Sequence, residues 1–170
     1  MDFDFCLAQL SHNAAAVQQL VEGVSAEQAR WKPDEASWSI LEVLCHLYDE
    51  EREDFRVKLD LILHRPDTPW PPIDPAGWVT TRAYNERDLG ITLLGYLQER
   101  ENSLAWLRQL KQPKWSQTSV APWGITLSAG DMFTSWVAHD ILHLRQLVEL
   151  KYAYTTAQLA PNSPRYAGEW

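Results

Sequence analysis

Along the first 24 residues apolar side chains recur at alternating steps of four and three: Phe3, Leu7, Leu10, Ala14, Val17, Val21 and Val24. That spacing lays them on one narrow stripe of a helix, the pattern of a bundle seam. Gly23 ends the regularity, and Ser25 with Gln28 reads as the capping box of a short helical turn before Pro33. Ser39 and Glu42 form a second capping-box pair, which predicts a helix running to about Arg65, where Pro66 stops it. Prolines at 66, 69, 71, 72 and 75, with Trp70 among them, exclude helix and interior strand from the connection that follows. Helical spacing resumes near Val79, is firm from Leu89 through Leu93, Leu94, Leu97, Leu104 and Leu107 to Leu110, and is closed by Pro113. A second irregular stretch covers Gln112 to Leu127; Ser128 and Asp131 then open a last long helix to about Tyr152, followed by an irregular tail. With no internal repeat and no convincing strand alternation, the chain reads as all-α: a four-helix bundle with irregular Pro/Trp-rich connections.

Composition narrows the picture. The 170 residues fit a single domain, residues 1–170, and nine tryptophans can build its core without disulfides. Fifteen basic against 23 acidic residues give a formal charge of −8, which argues against a surface made for nucleic-acid phosphates or anionic lipid. No stretch approaches the roughly 20 apolar residues of a membrane span. Cys6 and Cys45 lie in apolar-periodic segments and the start Met1-Asp2-Phe3-Asp4 is acidic, so the expectation is two reduced, buried thiols in a cytoplasmic protein.

The candidate chemistry lies on the last helix. His139 and His143, at i and i+4, project from one helical face closely enough to share a metal ion. Both also flank the apolar arc of Met132, Phe133, Trp136, Val137, Leu144 and Leu147, so a pair of satisfied core histidines is the first reading of these two residues alone. A tetrahedral metal with one open position usually takes three protein ligands. His12 falls opposite the stripe of the first helix, and His64 sits in the last turn before Pro66, where the helix dipole explains it. His46, on the edge of the second helix's apolar arc, is the better third candidate, and it lies about 27 Å of helix axis from His64. Asp140 falls in the middle of the apolar arc. Burial there calls for a hydrogen-bond partner: a histidine ring N–H on a facing helix, a tryptophan N–H, or backbone N–H groups at a helix start; a bend turning it to water is the alternative.

The segment Trp38-Ser-Ile-Leu-Glu-Val-Leu-Cys-His46-Leu-Tyr-Asp-Glu-Glu51, with Ala138-His139-Asp-Ile-Leu-His143-Leu-Arg145-Gln146 near the end, resembles the DinB-like family, also called the DinB/YfiT group of metal-dependent enzymes. The likeness spans nearly the whole chain, including the region from Tyr84 to Arg100 and the terminal Tyr166–Trp170. It implies a four-helix bundle, often dimeric, with a divalent metal on His46, His139 and His143. Imidazole ligands put zinc or nickel ahead of calcium or magnesium. The resemblance also implies a small-molecule substrate and either hydrolysis through activated water or transfer to a low-molecular-weight thiol, mycothiol or bacillithiol. A non-catalytic metal-binding or stress-related dimeric module is the alternative.

Two acids adjoin the ligands. Family position favours Glu51, whereas a helical net puts Glu50, four residues after His46, on the ligand face and swings Glu51 into the apolar arc. Either is a candidate general base or ligand-orienting acceptor; a solvated acidic face of Asp49, Glu50, Glu51 and Glu53 is the plain alternative. Packing over the bundle ends is the plain reading of Trp70, Trp78, Trp115 and Trp123, which are also candidate walls of a substrate pocket. Leu61 and Leu63 look like leftover exposed apolar positions and are the candidate dimer contacts.

Overall fold

The computed structural model describes residues 2–168. Met1 lies outside them, as do Glu169 and Trp170 of the terminal segment. Helix α1 (Phe3–Val21) starts where the Asp2 carboxylate accepts from the Phe5 backbone N–H, and the short α2 (Ala26–Arg30) where Ser25 does the same for Gln28. The reciprocal Ser39–Glu42 capping box opens α3 (Ile40–Glu50). A π-helical turn, Glu51–Phe55, joins it to α4 (Arg56–His64) through residues that stay in the right-handed helical region, so residues 40–64 form one rod. After the proline-rich connection come α5 (Pro75–Thr81), a 3₁₀ turn (Tyr84–Glu86) and α6 (Leu89–Gln109), capped by Asp88. Strands β1 (Thr118–Val120) and β2 (Thr126–Ser128) precede α7 (Ala129–Gln158), which opens on the Ser128–Asp131 capping box.

Four long rods therefore form the bundle, with contacts of α7 and α6 against α1 and of α3 against α6 and α7. The fold is all-α as expected, with three corrections of detail. The short helices α2 and α5 add to the four rods, so the helix count is not four. The stretch expected to be irregular holds an antiparallel hairpin, with Thr118 opposite Ser128 and Val120 opposite Thr126. Its strands are too short to show alternation, and its turn rests on Gly124 at φ +85°, a conformation that glycine adopts freely. Helix α7 also continues past Tyr152, to Gln158.

The rods bury two main clusters. One, around Leu10, Leu59, Leu104, Phe133 and Trp136, lies towards the hairpin; the other, around Val17, Val43, Leu44, Tyr96 and Leu147, fills the opposite half. Leu61 is 4% exposed and so not a surface position, and Leu63 is half-buried against the first cluster. The π turn supplies the reason, because its extra residue rotates everything after Glu51 relative to a straight α-helical count. Cys6 and Cys45 are free and buried. Among the described residues no helix is long and apolar enough to cross a membrane.

Candidate metal centre

The two ligand-bearing rods face each other across the core, and the three expected histidines meet between them. His139 Nε2 lies 3.4 Å from His46 Nε2 and 3.1 Å from His143 Nε2. Nitrogens bound at about 2.05 Å to one tetrahedral ion sit about 3.3 Å apart, so the separations match an ion's coordination edges. Proton counting points the same way. A neutral imidazole carries one ring N–H, and a proton at His139 Nε2 can bridge only one of its two close neighbours, whereas a cation takes all three lone pairs. The cluster of mutually close ligand atoms comprises these three rings among the described residues. The residues present thus fit a divalent ion.

Electrostatics keeps the rings ready. Burial, then the neighbouring His143 and His139, pushes the His46 pKa down to about 3; burial and His143 do the same for His139. His143 is lowered by burial. At neutral pH all three are therefore uncharged, the form that binds metal. His143 Nδ1 donates to the Gln146 side-chain oxygen at 2.8 Å, which turns its Nε2 lone pair towards the cluster. His12 is exposed, and His64 is exposed with Nδ1 2.9 Å from Asp60, so both lie apart from the centre.

The acids next to His46 are buried, against the solvated-face reading. Asp49 is held by Arg52, Arg82 and the Tyr84 hydroxyl; Glu53 alone of the four keeps a partly open side chain. Glu50 is 4% exposed and its Oε1 has no hydrogen-bond partner. Burial and the nearby Asp54 carboxyl, itself paired with Lys58, push the Glu50 pKa up to about 9. Glu51 points the other way, as the helical net requires, and accepts from Arg100 and from Trp136 Nε1.

Asp140 is buried as expected, but with partners none of the predicted kinds. It accepts from both terminal nitrogens of Arg100, at 2.6 and 2.9 Å, and from Asn13 Nδ2. Arg100 carries a legible signal, since it continues the seam of Leu93, Leu97, Leu104 and Leu107 as the one charge on it. The four tryptophans proposed as pocket walls are not at the site. Trp70 and Trp78 are buried in the core, Trp115 stacks on Phe133 at 5.4 Å, and Trp123 is exposed beside Trp70. The aromatic wall is Trp38, whose ring lies parallel to His143 at 6.3 Å and 4.9 Å from His46. A cleft of about 520 Å³ runs from Trp38 and His143 past Gln146 to Glu149 and Ala153.

A model of the DinB superfamily matches residues 9–147. The chain belongs to the DinB superfamily. Among solved structures it is similar to YfiT from Bacillus subtilis, described as a probable metal-dependent hydrolase with an unusual four-helix bundle topology; that alignment has a TM-score of 0.80 and 19% identity and covers 90% of this chain and 87% of the other. It is also similar to the mycothiol-dependent maleylpyruvate isomerase, at a TM-score of 0.70 and 11% identity over 86% of this chain and 61% of that one, and to a histidine-to-alanine mutant of that isomerase at 0.69 and 10%. No curated protein matches in sequence. At these identities the structural likeness speaks for the fold. A DinB-like bundle with three clustered histidines is consistent with metal-dependent hydrolysis or thiol-related chemistry.

Proposed function

We propose that this DinB superfamily protein is a metal-dependent enzyme whose zinc or nickel ion is held by His46, His139 and His143 and whose small-molecule substrate enters the cleft beside Trp38. The observation carrying the reading is the convergence of three uncharged imidazoles, within 3.1 and 3.4 Å along two edges, next to an open cleft rather than under a closed cover. Bound there, a divalent ion supplies the Lewis acidity that lowers the pKa of water, for hydrolysis, or of a thiol such as mycothiol or bacillithiol, for transfer. The chain's own residues do the rest. Gln146 fixes the His143 tautomer, Trp38 shields two ligand rings from bulk water, and the Glu50 carboxyl, one turn beyond His46, holds the proton that a leaving group needs. Glu51 is committed to Arg100 and Trp136 and serves the structure of the site instead. A homodimer belongs to the same reading.

The test is metal uptake by equilibrium dialysis against zinc and nickel, for wild type and for His46→Ala, His139→Ala and His143→Ala. One ion per chain in the wild type, lost in each variant, is expected. Loaded protein is then assayed with activated esters, and with electrophiles plus each thiol. Absence of uptake from either ion overturns the metal reading, uptake without turnover on either panel favours the non-catalytic module, and light scattering at the 19.6 kDa mass of one chain overturns the dimer.

A further inference from the structure

Below the three histidines lies a charged cluster that the proposed chemistry does not use. Arg100 of α6 is 1% exposed and spends all five of its N–H donors inside the protein. Its Nε and one terminal nitrogen reach the two oxygens of Glu51 at 3.0 and 2.9 Å; both terminal nitrogens reach Asp140; the fifth donor meets the Leu10 carbonyl of α1 at 2.9 Å. One side chain therefore touches all four long rods. The two carboxylates it joins are special by position. Glu51 opens the π turn of the rod that carries His46, and Asp140 is the chain neighbour of His139. A second strut between the same rods runs from Trp136 Nε1 to Glu51 Oε2 at 3.1 Å.

Stability alone is a poor reason for such a cluster. Taking two acidic side chains and a guanidinium out of water is costly, and a buried ion triad is often matched or bettered by well-packed neutral residues. What the fork supplies is direction, since five donors in a rigid plane fix the mutual register of the groups they bind far more narrowly than apolar contact does. The two rods fixed are the two that must bring three nitrogens to about 3.3 Å of each other. We propose that Arg100 is a positioning residue of the metal centre, setting the register of the His46 rod against the His139–His143 rod through Glu51 and Asp140. The proposal rests on the metal reading given above.

Cobalt(II) tests it, because its visible ligand-field bands report coordination geometry apart from activity. Arg100→Lys keeps the charge but offers three donors from a single atom and cannot span both carboxylates. Arg100→Met/Glu51→Gln/Asp140→Asn removes all charge from the cluster while leaving acceptors for Trp136 and Asn13. Circular dichroism establishes that each variant is folded at 25 °C. Folded variants are expected to bind cobalt about 10- to 100-fold more weakly than wild type, with shifted ligand-field bands. Wild-type affinity and bands in a folded variant overturn the proposal, and so does failure of both variants to fold, which assigns the cluster to holding the bundle together. Wild-type protein that takes up no cobalt refutes the metal reading itself, a different result from loaded wild type with unaffected variants.

Discussion

In metal-free protein the pH–stability profile between about pH 4.5 and 9 is set by four groups, His46 and Glu50 buried and His139 and His143 half-buried, and its shape follows from their shifts. His46 and His139 have pKa values near 3 in the fold against an ordinary 6.5. Between those values the unfolded chain binds more protons, so each histidine's contribution is complete above 6.5 and is lost as pH falls, at about 1.4 kcal/mol per pH unit. His143 is shifted in the same direction and adds to the slope. Glu50 works in the opposite sense. Its pKa is about 9 in the fold against an ordinary 4.5, so the fold keeps a proton that the unfolded chain releases. Its contribution is complete below 4.5 and is lost as pH rises to 9, again at about 1.4 kcal/mol per unit. From 4.5 to 6.5 at least two histidines oppose one glutamate, and stability rises with pH; above 6.5 only Glu50 remains, and stability falls by about 2.7 kcal/mol by pH 8.5. The lowered carboxylates Asp34, Asp49, Glu53 and Asp131 act below this window, and the raised Cys6 and Cys45 from 9.0 upward. The expected profile is a peak near pH 6.5. Urea denaturation of chelator-treated protein at constant ionic strength measures it, with Glu50→Gln as control, since the amide cannot ionise and its alkaline limb should be flat. A level wild-type profile from 6.5 to 9, or a Glu50→Gln profile that still falls there, refutes the reasoning.

Three further outcomes are expected. Gln146→Leu removes the acceptor 2.8 Å from His143 Nδ1 and should weaken zinc binding about 10- to 100-fold by calorimetry, while Gln146→Glu, which keeps an acceptor, stays much closer to wild type. Ser39→Ala deletes a capping hydroxyl that accepts from the Glu42 N–H and donates to Asn85 at 2.7 Å; a loss of about 1–2 kcal/mol in denaturation is expected, and an unchanged midpoint would show that water replaces the cap. Cobalt should quench part of the tryptophan fluorescence through Trp38, whose ring lies 4.9 Å from His46, and Trp38→Phe should remove that fraction while the ion still binds.

The legible parts of the molecule are those set by local rules. Apolar spacing marks the four rods, and the Ser39–Glu42 and Ser128–Asp131 boxes place the starts of the two rods that carry the histidines, because a cap is satisfied within three residues. The i, i+4 relation places His139 beside His143 for the same reason. The hairpin depends on pairing across a turn, and the π turn on packing against distant rods, so neither leaves a local mark. The open side of the site is equally hidden. Tryptophans in irregular segments are the natural candidates for its wall, whereas the wall is Trp38, just ahead of the capping box and stacked on a ring more than 100 positions away.

Glu50 and Glu51 show how far local rules can reach. They are adjacent in sequence but differ by about 100° around the helix, and that rotation decides everything else about them. Glu51 turns into the seam and meets Arg100, which also sits on a seam, as does Asp140 on α7; three charges at apolar positions on separate helices are tolerable only if they find one another. That requirement is implicit in the placing of charges within the apolar stripes of the chain. Glu50 is buried beside the Asp54 carboxyl, which takes Lys58 as its ion-pair partner, and keeps its proton. A pair of adjacent acids is thereby split into a strut bound to Arg100 and an acid that keeps its proton, and the two are separable by experiment. Glu51→Gln should disturb cobalt geometry and leave the alkaline stability limb in place; Glu50→Gln should remove that limb and leave the cobalt bands unchanged. If both substitutions act alike on both measurements, the division of labour between these neighbours is wrong.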